Sequence, residues 1–283
     1  MKTKKDILAI LTMLCLCITS IMGILSMNFD HAHDFINQYG HTVKIFGYGI
    51  YANDSYFKAP ISIGTDFCIL FVFVPLFFYT YLQYRKKGDG YTEIKLISVY
   101  AVAFYYASSI AFGVTYNQIF LVYTILFASS LFGMFSHIRR VNVTKTVTVT
   151  KGLRAFLVIT GIALIVAWLP DIISAMVVGE TLPLIGVYTT EITYVLDMGI
   201  ISPLCLVCLY LLGKKDGTGV VILTILLRLC MIVGIMIIPQ TICQILSGVE
   251  MELPVLVTKA LSFVILGAFA FYFDRKMSRE WNT

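Results

Sequence analysis

Eight apolar runs of about twenty residues each, separated by short polar turns, constrain this chain more than any other feature. They cover approximately 7–27, 65–84, 94–114, 117–137, 153–176, 190–212, 219–241 and 254–273. A helix of about 20 residues crosses the hydrocarbon core of a bilayer. Backbone groups in lipid must be satisfied within a segment, so continuous apolar runs are read as helices. A transmembrane barrel would instead alternate apolar and polar positions. With 59% hydrophobic and only 13% charged residues, there is too little polar surface for a soluble domain of this size. The expected fold is therefore all-α, a polytopic transmembrane helix bundle forming one membrane domain over residues 1–283.

The basic residues orient it. All 21 lysines and arginines except Lys44, Lys58, Arg228 and Lys259 fall at alternate turns on one side of the runs. Such a bias places that side, with both termini, in the cytoplasm. The clusters are topological signals, and no basic stripe interleaved with aromatics suggests nucleic acid. The N-terminal Met1-Lys2-Thr3-Lys4-Lys5 resembles a signal peptide, but the following run is too long and lacks a small-residue cleavage site. An uncleaved first helix is expected. The seven cysteines all lie in apolar runs or, for Cys243, just past the end of one, which argues against a disulfide framework outside the membrane.

An internal repeat is suggested by two segments about 130 residues apart. Gly64-Thr65-Asp66, Pro75 and Arg85-Lys86-Lys87-Gly88-Asp89-Gly90 run parallel to Val195-Leu196-Asp197, Pro203 and Lys214-Lys215-Asp216-Gly217. The halves would be 1–140 and 150–283, related by an axis along the membrane normal. The long outer loop is placed at 28–64.

Ionisable groups inside a membrane are costly and point to function or to interhelical pairing. Asp171, Asp197 and Lys259 fall at similar depth from the outer ends of their helices, and Arg228 is read as reaching up toward Asp197. Glu191 and Tyr194 precede Asp197 on one helix face, and Gln240 and Gln244 share a face by their i, i+4 spacing. These eight residues form the candidate pocket, with Asp54, Ser55 and Asp66 at its mouth. The alternative is a set of ion pairs that only fixes helix packing.

Asp30-His31-Ala32-His33-Asp34 and His41 offer imidazole and carboxylate donors of the kind zinc takes. No second constellation completes a ligand set, so no metal is assigned. Cys205 and Cys208 share a helix face, but two thiols in an apolar helix are ordinary small core residues. No phosphate loop, H-E-x-x-H or G-x-S-x-G is present, and no cofactor is expected.

Gly49-Ile50-Tyr51, Asp54-Ser55, Gly64-Thr65-Asp66, Tyr116-Asn117-Gln118-Ile119-Phe120-Leu121-Val122-Tyr123, Trp168-Leu169-Pro170-Asp171 and Tyr194-Val195-Leu196-Asp197 together resemble an uncharacterised family of bacterial polytopic integral membrane proteins. The resemblance implies a bacterial cytoplasmic (inner) membrane location and one recurring design that includes the outer-loop segments and both aspartates. It brings no activity. Where that family has a proline shortly after the Asp171 motif, this chain has Ser174.

The functional expectation is a transporter or binding component for a small molecule or cation, working in the lipid bilayer alone, as a homo-oligomer or within a membrane complex. A membrane-embedded enzyme acting on a lipid or envelope precursor is the alternative, and an accessory subunit a third reading; the balance leans away from catalysis.

Overall fold

The computed structural model describes residues 2–143, 145–182, 184–249 and 253–282, with side chains for 7–143, 145–182, 184–249 and 260–281. Eight long helices make up the bundle: α1 (Lys2–Leu25), α2 (Lys58–Lys87), α3 (Gly90–Gly113), α4 (Phe120–Ile138), α5 (Lys151–Val178), α6 (Ile192–Gly213), α7 (Gly217–Leu246) and α8 (Leu253–Asn282). The first seven are long and apolar enough to cross a membrane; α8 runs for 30 residues. The chain is an all-α polytopic membrane protein.

On the basic face the helices start cleanly because side chains cap them. Asp89, Thr150 and Asp216 each accept a hydrogen bond from a backbone N–H of the first turn of α3, α5 and α7. Such caps satisfy donors that the helix itself cannot. They explain why these three helices begin two to four residues before the apolar runs do.

Two helices carry the same irregularity. In α2 a π-turn covers Ile69–Phe73 and Pro75 follows it; in α6 a π-turn covers Asp197–Ile201 and Pro203 follows. Proline has no N–H to give the helix and its ring crowds the carbonyl four residues back. Widening the preceding turn by one residue relieves that crowding without breaking the helix.

α3 is the central element. It packs against α2, α4 and α7 and touches the first turn of α6, while α1 closes the side formed by α2 and α4. α7 lies between α2, α3, α6 and α8. The main core is built of Phe73, Phe77, Tyr100, Leu126, Leu157, Cys205 and Leu226, with Leu153 and Phe156 holding the basic-face half of α5.

Over the opposite face lies a small cap. β1 (His33–Ile36) and β2 (Thr42–Ile45) pair antiparallel, His33 opposite Ile45 and Ile36 opposite Thr42. Asn37 shapes the turn, its Oδ1 accepting from the amides of Tyr39 and His41 at 3.0 and 2.9 Å. The hairpin tip then ties down the connection before α6: Asn37 donates to Gly186 O at 2.7 Å and Gln38 to Tyr188 O at 2.9 Å. The hairpin is a feature that the sequence reading did not foresee. The outer loop is also shorter than expected, since α2 begins at Lys58 and takes residues 58–64 into the helix.

Candidate functional site

Three aspartates lie in one layer. Counted at about 1.5 Å per residue from the helix ends under the cap, Asp66, Asp171 and Asp197 are all on the order of 10 Å deep. Asp66 is completely buried. Its Oδ2 accepts from Tyr51 at 2.6 Å and its Oδ1 from Tyr106 at 2.7 Å. α1 passes so close that a Cβ on Gly23 would fall 1.7 Å from Oδ2, so only glycine leaves room for this carboxylate. No lysine or arginine forms an ion pair with Asp66 among the described residues.

Asp197 opens the π-turn of α6 and is also buried. Tyr105 donates to its Oδ1 at 2.8 Å and the Trp168 indole to its Oδ2 at 2.9 Å. The indole stacks on Tyr194, with ring centroids 4.7 Å apart, and the Tyr194 hydroxyl donates to Asp171 Oδ2 at 2.8 Å. Asp171, Tyr194, Trp168 and Asp197 thus form one continuous arrangement. It stands at a loose edge of the bundle, because in α5 no residue after Leu164 is fully buried. The end of α5 carrying Trp168, Pro170 and Asp171 is less buried than its beginning.

No protein-family model, curated protein or solved structure matches the chain. The site is therefore read from its own geometry.

Of the eight pocket candidates, the structure joins Asp171, Tyr194 and Asp197 and sends four elsewhere. Glu191 pairs with Lys58 across the cap, and Lys58 also sits 4.0 Å from the centre of the Tyr188 ring. Gln240 donates to Thr65 Oγ1 at 2.7 Å, where Gly64 lets α2 approach the α7 backbone, and Gln244 is buried one turn further on. Arg228 does not reach Asp197: its NH2 group lies 3.5 Å from Asp274 Oδ1 on α8. That expectation is corrected by direction. Arg228 is nearer the basic-face end of α7, so its side chain finds a carboxylate at that end. The side chain of Lys259 lies outside the described residues, as do Glu250 and Glu252.

The mouth candidates separate as well. Asp54 is buried under the cap, its Oδ1 accepting from Thr115 N and Tyr188 OH, both at 2.8 Å. Ser55 N donates to the same Tyr188 hydroxyl at 3.2 Å. Burial pushes the Asp54 carboxyl up to about 7, although the Thr115 and Tyr188 bonds and the field of Lys58 pull the other way. Burial likewise raises the Tyr188 hydroxyl, reinforced by the neighbouring Asp54 charge. His33 Nδ1 rests 3.2 Å from His31 O, and among the described residues no three His, Cys, Asp or Glu side chains gather as a metal site. Cys205 is packed against Gly161, and the Cys208 thiol lies 3.5 Å from Gly219 O.

Sequence reasoning missed the donors. Tyr105 and Tyr106 are adjacent on α3 and reach two carboxylates on different helices, and Tyr51 and Trp168 complete the pairs. The signal was a Tyr-Tyr pair deep in an apolar run, hidden among 17 tyrosines and 20 phenylalanines.

Proposed function

We propose that the protein is a small transporter, or the membrane-embedded binding component of one, in which buried carboxylates take up a proton or a cation. The observation that carries this reading is the surroundings of Asp66: fully buried at membrane depth, between two tyrosine hydroxyls, with no basic partner among the described residues. An isolated charge in such a place is very costly, so the carboxylate needs a proton or a bound cation to be neutral. Tyrosine hydroxyls can relay a proton or turn an oxygen toward a cation.

The open edge at Asp171, Trp168 and Tyr194 suits the ligand, and the sealed Asp66 suits the coupling ion. The shared order of aspartate, π-turn and proline in α2 and α6 supports two parallel repeats, 1–140 and 150–283, with the working groups at matching places. The basic bias supports an orientation with both termini in the cytoplasm and the hairpin cap outside, and the sequence resemblance supports a bacterial inner membrane.

Reporter fusions within 28–57 and 139–150 test the orientation; the cap is expected outside and the linker inside. Proteoliposomes of wild type and Asp197→Asn test the function. Ion- or substrate-dependent flux lost in the variant, with the fold intact, supports transport. Lipid turnover lost without any flux would make the protein an enzyme. An unchanged phenotype in both charge-neutral variants, Asp66→Asn and Asp197→Asn, would leave only a role in holding a complex together.

A further inference from the structure

The basic face holds a cavity of about 580 Å³, far from the aspartate layer, where four parts of the chain meet. The end of α2 supplies Lys87, the start of α3 supplies Tyr91 and Lys95, the linker before α5 supplies Asn142 and Lys145, and the last turn of α8 supplies Trp281. Its volume is in the range that ordinarily accommodates a small ligand, roughly 300–1,000 Å³.

The charges on its wall are unbalanced. Asp89 is the one carboxylate among the lining residues, and it is engaged in capping α3 through Thr92 N and Thr92 Oγ1, both at 2.8 Å. None of the three lysines forms an ion pair among the described residues. Lys95 lies 4.2 Å from the centre of the Tyr91 ring, and Lys145 donates to Trp281 O at 2.9 Å. Behind the wall, Arg228, Arg275 and Asp274 add to the field at Lys95. Arg228 is buried, and its Nε has no hydrogen-bond partner among the described residues. Three lysines thus line the cavity against one carboxylate that is already used in a cap, and behind them Asp274 is paired with Arg228.

The roof is aromatic. Tyr91 and Trp281 stack with centroids 5.0 Å apart, at the depth where amphipathic rings sit at a membrane surface. Amines lining one cavity beside a flat aromatic pair match a group with several anionic oxygens joined to a less polar body.

We propose that this cavity binds a phosphate group, that of an anionic lipid headgroup or of a small soluble phosphate. Phosphate oxygens accept charge-assisted hydrogen bonds from several ammonium groups at once, and basic pockets between transmembrane helices are used to hold lipid headgroups. A bound phosphate would add to the bond by which Lys145 joins the linker to the end of α8.

The test compares thermal unfolding of the full chain in neutral detergent alone, with phosphatidylglycerol, with phosphatidylcholine, and with inorganic phosphate. The variant Lys87→Gln/Lys145→Gln removes two exposed amines from the cavity. Arg139→Gln/Arg140→Gln removes the same charge from exposed positions on the same face that do not line it. Stabilisation of the wild type by phosphatidylglycerol but not phosphatidylcholine, with apparent affinity about tenfold weaker in the lysine variant and unchanged in the arginine variant, assigns a lipid phosphate. The same pattern with inorganic phosphate alone assigns a soluble one. Stabilisation by neither, or an equal loss in both variants, overturns the proposal.

Discussion

The Asp66 and Asp197 sites are built to one plan and finished differently. Each is a buried aspartate on a helix interrupted by a π-turn and a following proline, and each accepts from two aromatic donors. Around Asp66 both donors are tyrosines and α1 closes the remaining side at Gly23. Around Asp197 one donor is an indole on the less buried end of α5, itself stacked on the tyrosine that holds Asp171. The first arrangement is sealed by packing, and the second is held at a less buried edge of the bundle. The difference teaches that burial of a carboxylate and access to it are set by separate elements: the π-turn helix places the group, and the neighbouring helix decides whether it is shut in.

The largest expected effect breaks the sealed site. Gly23→Ala puts a methyl where Asp66 Oδ2 stands and should cost about 3 kcal/mol through overpacking and unpaired tyrosine hydroxyls. Thermal unfolding in detergent measures it, and Asp66→Ala in the same chain should recover part of the loss, since the two changes share one space. If the double variant is as unstable as the summed singles, Gly23 matters for another reason.

Next comes the contrast itself. Asp66→Ala leaves two buried hydroxyls without an acceptor and should cost about 2 kcal/mol, against no more than about 1 for Asp197→Ala at its looser edge. Equal costs in a denaturation series would remove the distinction between sealed and open. Trp168→Phe should be milder still. It keeps the stack on Tyr194 but drops the bond to Asp197, a loss of about 0.6 kcal/mol. With Trp281 replaced by Phe, Trp168 is the only tryptophan left, and its emission should shift when a ligand reaches Asp197 but not in Asp197→Ala.

The smallest effect is confined to the cap. Asp54 holds its proton to about pH 7 in the folded chain, against an ordinary value near 3.8. Its contribution is therefore complete below the ordinary value and is lost as pH rises through about 7. Hydrogen exchange of residues 33–45, corrected for intrinsic rates, should show less protection at pH 8 than at pH 5. Asp54→Asn, which keeps the acceptor and cannot ionise, should remove that slope.

What could be read from the sequence follows from what lipid demands of it. Helices were legible because each run must be apolar over its whole crossing, whatever it packs against. Asp171 and Asp197 were legible as charges in expensive places, whereas Asp66 was read as a mouth residue because its apolar run starts at 65 while the helix starts at Lys58 and buries it. The partners of all three were not legible, because a tyrosine that bonds a carboxylate and one that faces a lipid headgroup look the same in a list of residues. Arg228 was misread for a related reason: depth along a helix says which layer a long side chain starts from and not which way it turns. The hairpin escaped because its strands are four residues each, too short for alternation to stand out.

Tyr105 and Tyr106 have a mechanical consequence. Neighbouring residues on a helix point about 100° apart, so α3 is tethered in two directions at one level. Turning it about its axis strains both hydrogen bonds together, and sliding it along its axis pulls on both carboxylates in the same sense. α3 therefore acts as a fixed post, and a motion that opens one aspartate while sparing the other has to come from the helices that surround it.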